Sequence, residues 1–218
     1  MSDVAALIAR WREIDRLARD HDARLVAVSK YAPDAAVAAL IDAGARDFGE
    51  SRPQQLRDRA RRWPHCRWHM IGPLQRNKGK YIAEYAASWL SLASLDCARV
   101  VARRLGEGRP PLPVMVQVNL AGLPQQSGIA AGECAAFCRE LEQWPQLQVV
   151  GLMAMVPRDG DTAAAVARLR RLKGEVGRES MRHICVGMSH DYRQALAAGA
   201  TMIRVGSALF GAWDVRRA

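Results

Sequence analysis

The segment Val114-Met-Val-Gln-Val-Asn119 is an almost continuous apolar run that ends in a polar residue. Such a run is typical of a strand in a parallel sheet that is buried on both faces. Short apolar segments like this one alternate with helical segments along the chain, and strands are predicted at 25–29, 46–49, 67–71, 89–92, 114–119, 148–153, 183–187 and 202–205. Eight such units predict an α/β fold, a single (β/α)8 barrel of the TIM type over residues 1–218.

The segments between the strands carry helical signals. Residues 4–20 place apolar side chains at helical spacing, which predicts an extra N-terminal helix before the first strand. Further helices are predicted at 34–43, 53–62, 75–86, 95–105, 131–143, 161–176 and 190–198, with a short one from Ser207. A doubly wound open sheet is the alternative fold, but Ser29-Lys-Tyr-Ala32 lacks the Gly-rich turn expected after its first strand.

Composition narrows the class of protein. Half of the residues are hydrophobic and a quarter are charged, as in ordinary globular domains. No apolar run is long enough for a membrane span, and the N-terminus lacks the pattern of a signal peptide, so we expect a cytoplasmic location. The five cysteines include no CxxC motif and are expected to be reduced. Cys134 and Cys138 could share a metal, but a buried cysteine pair on one helix is preferred and no metal is expected.

The net charge of +10 comes from arginine, since only four residues are lysine: Lys30, Lys78, Lys80 and Lys173. A basic face for nucleic acid is one interpretation. The chain contains no helix-turn-helix, RNP or zinc-finger pattern, so a solvated basic surface is preferred. The small number of lysines matters more, because it leaves few candidates for covalent amine chemistry.

Function in a barrel gathers where strands end and βα loops begin. Lys30 follows the first predicted strand, and Glu50 and Ser51 follow the second. A lysine whose pKa is lowered by burial or by nearby cations forms imines with aldehydes. The alternatives are a lysine that reaches solvent or pairs with Glu50.

Two adjacent turns carry a second signal. Gly187-Met188-Ser189 and Gly206-Ser207 each follow a predicted strand and precede a helix. Free N–H groups at helix starts favour a phosphate dianion, although ordinary Gly-containing turns would look the same. An imine-forming lysine opposite a phosphate seat describes a site for pyridoxal 5'-phosphate (PLP). Arg204 would then lie near the pyridine nitrogen, or else form a salt bridge inside the barrel.

These residues belong to motifs that resemble one known family, the pyridoxal phosphate homeostasis proteins (YggS-like), which share a barrel with the N-terminal domain of alanine racemase. The motifs follow one another over nearly the whole chain: Leu25-Val-Ala-Val-Ser-Lys30, Phe48-Gly-Glu50, Trp68-His-Met-Ile-Gly-Pro-Leu-Gln75, Ser127-Gly-Ile129, Gly151-Leu-Met153, Gly187-Met-Ser189 and Arg204-Val-Gly-Ser-Ala-Leu-Phe-Gly211.

The resemblance implies that PLP is held as an imine on Lys30, with its phosphate at Ser189, Gly206 and Ser207 and its ring near Arg204. It also implies that His69 and Met153 lie in or near the pocket wall. The chain departs from the family pattern at Ser51, Gln126 and His190, where the family usually has Asn, Lys and an acidic residue.

The resemblance further implies a role as a PLP-binding protein that stores, buffers or delivers the cofactor, rather than as an enzyme. The expected partners are PLP and PLP-dependent apo-enzymes, with a monomer favoured. A racemase-like enzyme is the alternative. It needs a base on each face of the imine, and the second base, a tyrosine, would come from an additional domain for which the barrel leaves no residues. A Schiff-base aldolase that uses Lys30 without a cofactor is a third hypothesis.

Overall fold

The computed structural model describes residues 3–106 and 108–213, so the ends of the predicted domain, 1–2 and 214–218, lie outside the described residues. The predicted barrel and its N-terminal helix are confirmed. The strands are β1 (Arg24–Val28), β2 (Asp47–Glu50), β3 (Arg67–Met70), β4 (Ser88–Leu92), β5 (Leu112–Asn119), β6 (Ile129–Ala130), β7 (Leu147–Met153), β8 (His183–Cys185) and β9 (Met202–Val205). The helices are α1 (Asp3–Asp20), α2 (Asp34–Asp42), α3 (Pro53–Arg62), α4 (Gly79–Tyr85), α5 (Leu95–Leu105), α6 (Cys134–Glu140), α7 (Thr162–Val176), α8 (Tyr192–Ala197) and α9 (Ser207–Phe210).

Eight parallel strands close into a barrel in the order β4-β3-β2-β1-β9-β8-β7-β5, and β4 pairs with β5 to complete the circle. The first and last strands of the chain are neighbours, with Val26 opposite Arg204 and Ala27 opposite Val205. This pairing brings the loop after β1 beside the loop after β9, although almost the whole chain lies between them.

Side chains alternate between two apolar layers, as parallel barrel strands require. Leu25 and Ala27 of β1 point outward into the large core between the sheet and the helices, whereas Val26 points into the barrel. The interior cluster consists of one residue from each of six strands: Val26, Leu90, Met115, Met153, Cys185 and Met202. The barrel is therefore filled at mid-height, and space for a ligand is left only toward its ends.

Beyond small shifts at element ends, the structure departs from the predicted elements in three places, one of which is the helix predicted at 75–86, whose first turn is a 3-10 turn at Arg76–Lys78. The short strand β6, which was not predicted, pairs with Val118 and Asn119 at the end of β5. Gly128 precedes it with φ +134°, and a Cβ on Gly128 would lie 2.6 Å from the amide nitrogen of Asn119, so only glycine permits this close return. The helix predicted at 131–143 is also divided, because α6 is flanked by 3-10 turns at Ala131–Glu133 and Leu141–Gln143.

Within the described ranges, no helix has the combination of length and apolar character that crossing a bilayer requires.

Candidate ligand-binding site at the barrel mouth

A cavity of about 350 Å³ opens at the carboxyl ends of the strands. This is the end of a barrel at which binding and catalytic residues gather. Its walls come from the loops that follow β1, β2, β3, β7, β8 and β9, from the segment between β5 and β6, and from residues inside the barrel. The lining residues are Val28, Lys30, Tyr31, Ala32, Ser51, Ile71, Gly72, Pro73, Gln117, Ser127, Met155, Met188, Ser189, His190, Arg204, Gly206, Ser207 and Phe210.

Lys30 reaches this cavity two residues after the end of β1. Its Nζ lies 5.1 Å from the centre of the Tyr31 ring, within the range of a cation–π contact. All four lysines fall within the described residues, and Lys30 is the one that lines the cavity. The lysine predicted to carry the reactive amine is thus half-buried and lies beside an aromatic ring.

A buried ion pair holds the loop that carries Lys30. Arg59 on α3, only 5% exposed, forms a salt bridge with Glu50 and donates hydrogen bonds to the carbonyls of Ser29 (2.8 Å) and Ala32 (2.6 Å). The Ser29 hydroxyl donates to Glu50 Oε1 at 2.6 Å. The backbone is therefore fixed on both sides of Lys30. Glu50 pairs with Arg59, so the alternative in which Glu50 forms the ion pair of Lys30 is wrong.

Glu50 is fully buried at the end of β2. Burial raises the pKa of its carboxyl, although Arg59 and Ser29 act in the opposite direction. Among the described residues, its Oε2 atom has no hydrogen-bond partner. Burial is thus the largest influence on the pKa of this carboxyl, and Arg59 is the cation that stabilises its charged form.

The two turns predicted to seat an anion meet at one side of the cavity. Ser189 Oγ accepts hydrogen bonds from the backbone N–H groups of Gly206 (3.3 Å) and Ala208 (3.0 Å). The first turn is closed by Asp191, whose Oδ1 accepts from the Met188 N–H at 2.7 Å. Asp191 is itself held by a hydrogen bond of 3.0 Å from Thr162 on α7. Hydroxyl and amide donors from both turns therefore form one polar rim.

Arg204 on β9 lies at the inner side of this rim and is 5% exposed. Its Nη2 donates to the carbonyl of Ala154 at 2.9 Å, but its Nε is buried and has no partner among the described residues. Burial raises the pKa of the adjacent Cys185 thiol, and the Arg204 cation partly offsets that rise. A salt bridge inside the barrel was one alternative for Arg204, and none of the described carboxylates forms one with it. Its unpaired N–H is a donor available to an acceptor in the cavity.

Three residues predicted for the site do not line the cavity. Met153 is fully buried in the interior cluster below it. Gly187 begins the first turn with φ +109°, and a Cβ on it would lie 2.9 Å from side-chain atoms of both Ala195 on α8 and Ile203 on β9. His69 is displaced furthest, since its side chain is directed toward the opposite end of the barrel.

His69 belongs to a buried polar cluster at the amino end of the strands. Its Nε2 lies 2.9 Å from Oδ1 of Asp47, the first residue of β2, and its Nδ1 lies 2.7 Å from Oγ of Ser88, the first residue of β4. Burial alone would raise the pKa of Asp47, but hydrogen bonds from Arg67 and His69 hold it well below its usual range. The expectation that His69 lies in the pocket wall is corrected, because both ring nitrogens are used at the far end.

Sequence reasoning did not assign several lining residues. Gln117 could have been found, since it is the one polar side chain within the apolar run 114–118, and its Nε2 donates to the Ser127 carbonyl at 2.7 Å. Gly72 brings two loops together, because a Cβ there would lie 2.3 Å from the carbonyl oxygen of Ser51. Ile71 lies within a quoted family motif and His190 directly follows one, whereas Tyr31 and Met155 carry no signal in sequence that separates them from ordinary loop residues.

The cysteine pair Cys134 and Cys138 is buried on α6, away from the cavity. In the part of the chain that the structure describes, no group of three or more His, Cys, Asp or Glu side chains is arranged to hold a metal ion.

Comparison with known proteins gives consistent matches over almost the whole chain. Residues 2–214 match the family model described as "Alanine racemase, N-terminal domain". The chain is 37% identical to the pyridoxal phosphate homeostasis protein of Pseudomonas aeruginosa PAO1, over 97% of this chain and 95% of that protein. It is 34% identical to the protein of the same name from Escherichia coli K12, with 98% of each chain covered.

Among solved structures, the chain is similar to PipY of Synechococcus elongatus PCC7942, with 32% identity over 94% of this chain and 100% of that one. The TM-score is 0.84 for PipY without PLP and 0.80 for PipY with PLP bound.

Proposed function

Because the chain belongs to the pyridoxal phosphate homeostasis protein family, we propose that it binds PLP at the barrel mouth and holds it as an imine on Lys30. The observation that carries this proposal is geometric: one cavity is lined both by Lys30 and by the two turns that meet at Ser189. PipY is described with PLP bound and has the same fold. A lysine amine and an anion-binding rim within one small cavity suit a ligand that carries an aldehyde and a phosphate.

The residues present fit this cofactor. Arg204 lines the cavity, and its buried Nε has no partner among the described residues, so it is free to donate to an acceptor on a ligand. Ser189 Oγ accepts from two backbone N–H groups, which is the kind of donor set that also suits a phosphate oxygen. The set proposed to hold PLP is Lys30, Ser189, Arg204, Gly206, Ser207, Met188 and Ser51. Gly187 supports the first turn from behind, while His69 and Met153 contribute to the barrel rather than to the contact surface.

When bound, PLP supplies an aldehyde that reacts with an amine and a ring that withdraws electrons from the resulting imine. The chain supplies the amine of Lys30, held in place by the Glu50–Arg59 pair. Arg204 would donate to the ring nitrogen, and a guanidinium cannot give up its proton to it. The ring would thus remain a weak electron sink, which suits retention of the cofactor better than turnover of amino acids.

We therefore propose a carrier that stores, buffers or delivers PLP, acting as a monomer in the cytoplasm and supplying PLP-dependent apo-enzymes. Burial of all five cysteines as free thiols agrees with a reducing compartment. The described elements form one closed barrel with its helices, consistent with a single domain.

A racemase-like activity is the second candidate, and one observation favours it. Tyr31 lines the cavity beside Lys30, so a second group able to move a proton lies within the site. Exchange of the α-proton of alanine with deuterium from solvent, followed by NMR with PLP-loaded protein, tests it. Exchange no faster than with free PLP supports the carrier, whereas rapid exchange that Tyr31→Phe abolishes supports the enzyme.

The PLP proposal is tested by adding PLP to the purified protein, reducing with borohydride and mapping the labelled peptide by mass spectrometry. We expect a new visible absorption band and a single label on Lys30. Lys30→Ala should abolish the band and the label but retain weak PLP binding, because Arg204 and the rim remain. Lys78→Ala, a lysine outside the cavity, is the matched control and should behave like wild type. A label on Lys78 or Lys80, or a band that survives in Lys30→Ala, would contradict the assignment.

A further inference from the structure

The positive charge of this protein is concentrated on one side of the barrel. Residues 52–109, which contain α3, α4 and α5, include 13 Arg and Lys residues but only four Asp and Glu residues. The remainder of the chain contains 19 basic and 18 acidic residues. Nine of the ten net positive charges therefore belong to a segment of about a quarter of the chain.

The three helices of this segment form one continuous face, because α4 packs against both α3 and α5. We call this surface the α3–α5 face. The three helices carry eight of these 13 basic side chains. Arg59 is the one of the eight that is buried, and the others are exposed or half-buried. Arg103 and Arg104 at the end of α5 and Lys80 on α4 form no ion pair with any described carboxylate. The face thus presents cations that are not neutralised by its own acidic residues.

We propose that the α3–α5 face is a docking surface for an acidic protein. Guanidinium groups bind carboxylates through paired hydrogen bonds, and a concentrated charge of one sign steers an oppositely charged partner toward it. The inference goes beyond PLP binding and does not depend on it, since it rests on charge and exposure alone.

The aromatic residues of this face favour a protein over a nucleic acid. Proteins that bind single strands offer free aromatic rings for base stacking. Here the rings are covered by cations of the same face: Arg57 lies over Tyr81, Arg61 over Tyr85 and Arg62 over Trp63.

The face lies next to the opening of the cavity. Arg52 directly follows Ser51, and Arg76 lies three residues after Pro73, while Ser51 and Pro73 both line the cavity. A partner seated on α3 and α4 would therefore lie beside the barrel mouth, where a ligand could pass between the two proteins. This arrangement is the one that delivery to a receiving protein requires.

The test compares two triple variants that remove the same charge from two helices. Arg99, Arg103 and Arg104 on α5 are changed to Gln in one variant, and Arg168, Arg170 and Arg171 on α7 in the other. All six arginines are exposed, and Gln preserves helix propensity. Binding of a fluorescein-labelled peptide of ten glutamates and of a ten-nucleotide RNA is measured by fluorescence anisotropy at 50 mM NaCl. Far-UV circular dichroism and thermal unfolding verify that both variants are folded.

We expect the wild type to bind the glutamate peptide more tightly than the RNA. The α5 variant should lose at least tenfold in peptide affinity and the α7 variant less than twofold. Equal losses in the two variants would overturn the proposal, because net charge rather than the face would then decide binding. Tighter binding of the RNA would assign the face to nucleic acid, and failure of the wild type to bind the peptide would remove the docking surface altogether. Whether the protein binds PLP is read separately from its absorption spectrum.

Discussion

At the amino end of the barrel, buried polar side chains form hydrogen bonds with one another. At the carboxyl end, polar side chains face a cavity, and some of their hydrogen-bonding groups have no partner among the described residues. Asp47, His69 and Ser88 satisfy each other across three strands. At the mouth, Arg204 keeps an unpaired buried Nε, and Lys30 lines the open space. Polar side chains thus satisfy one another at one end and leave donors for a ligand at the other, which agrees with the usual division of roles in such barrels.

The Glu50–Arg59 pair stabilises the fold and also holds the loop that carries Lys30. Its disruption should therefore have the largest effect on the free energy of unfolding. Arg59→Met leaves the buried Glu50 carboxylate without its cation and the carbonyls of Ser29 and Ala32 without donors. We expect a loss of about 3–5 kcal/mol in the free energy of unfolding, measured with urea. The double variant Glu50→Leu/Arg59→Met should recover part of that loss, since no buried charge then remains. A single variant as stable as the wild type would show that the pair does not hold the loop.

The contribution of the amino end to stability is tested by substituting Asp47, for which we expect a moderate loss in the free energy of unfolding. Asp47→Asn replaces the charged acceptor of Arg67 and His69 and should lower the free energy of unfolding by about 1–2 kcal/mol at pH 7. The pKa of Asp47 is held below its ordinary value of 3.8, so its contribution is complete above that pH. The contribution declines as the pH falls further, because the unfolded chain then takes up a proton that the folded carboxylate refuses.

Urea unfolding of the wild type and Asp47→Asn at several pH values checks the direction of this pH dependence. The gap in stability should narrow only below pH 3.8, and PLP affinity should remain within twofold at pH 7. A gap that is independent of pH, or a large loss of PLP affinity, would mean that the two ends of the barrel are not separate in function.

The mouth is tested by Ser207→Ala, for which the smallest effect on stability is expected. Ser207 is half-buried and lines the cavity, and none of the hydrogen bonds found among the described residues uses its hydroxyl. The free energy of unfolding should change by less than about 0.5 kcal/mol, whereas the dissociation constant for PLP should rise several-fold through loss of a phosphate donor. Spectroscopic titration with PLP measures the second quantity, and an unchanged constant would remove Ser207 from the phosphate seat.

Local sequence information identified the barrel and most of the mouth. Continuous apolar runs predicted strands that are buried on both faces, and residues just after those runs had to lie at the carboxyl end of the barrel. Lys30, Ser51, Ser189, Arg204 and Ser207 could therefore be assigned to one end before their contacts were known. The misplaced His69 illustrates the limit of this reasoning, because a residue late in a strand can still turn its side chain toward the other end.

The sequence by itself determined the alternation of strands and helices and the polar character of the strand ends, since these depend on residue type and spacing along the chain. The proposal of Lys30 as the imine lysine also needed the resemblance to a known family. Only the tertiary structure decided that Glu50 pairs with Arg59, that His69 bonds to Asp47 and Ser88, and that the basic helices α3, α4 and α5 pack side by side. Those features depend on side-chain directions and on which elements become neighbours when the barrel closes. They arise between residues that are distant in sequence, where periodicity and local propensity carry no information.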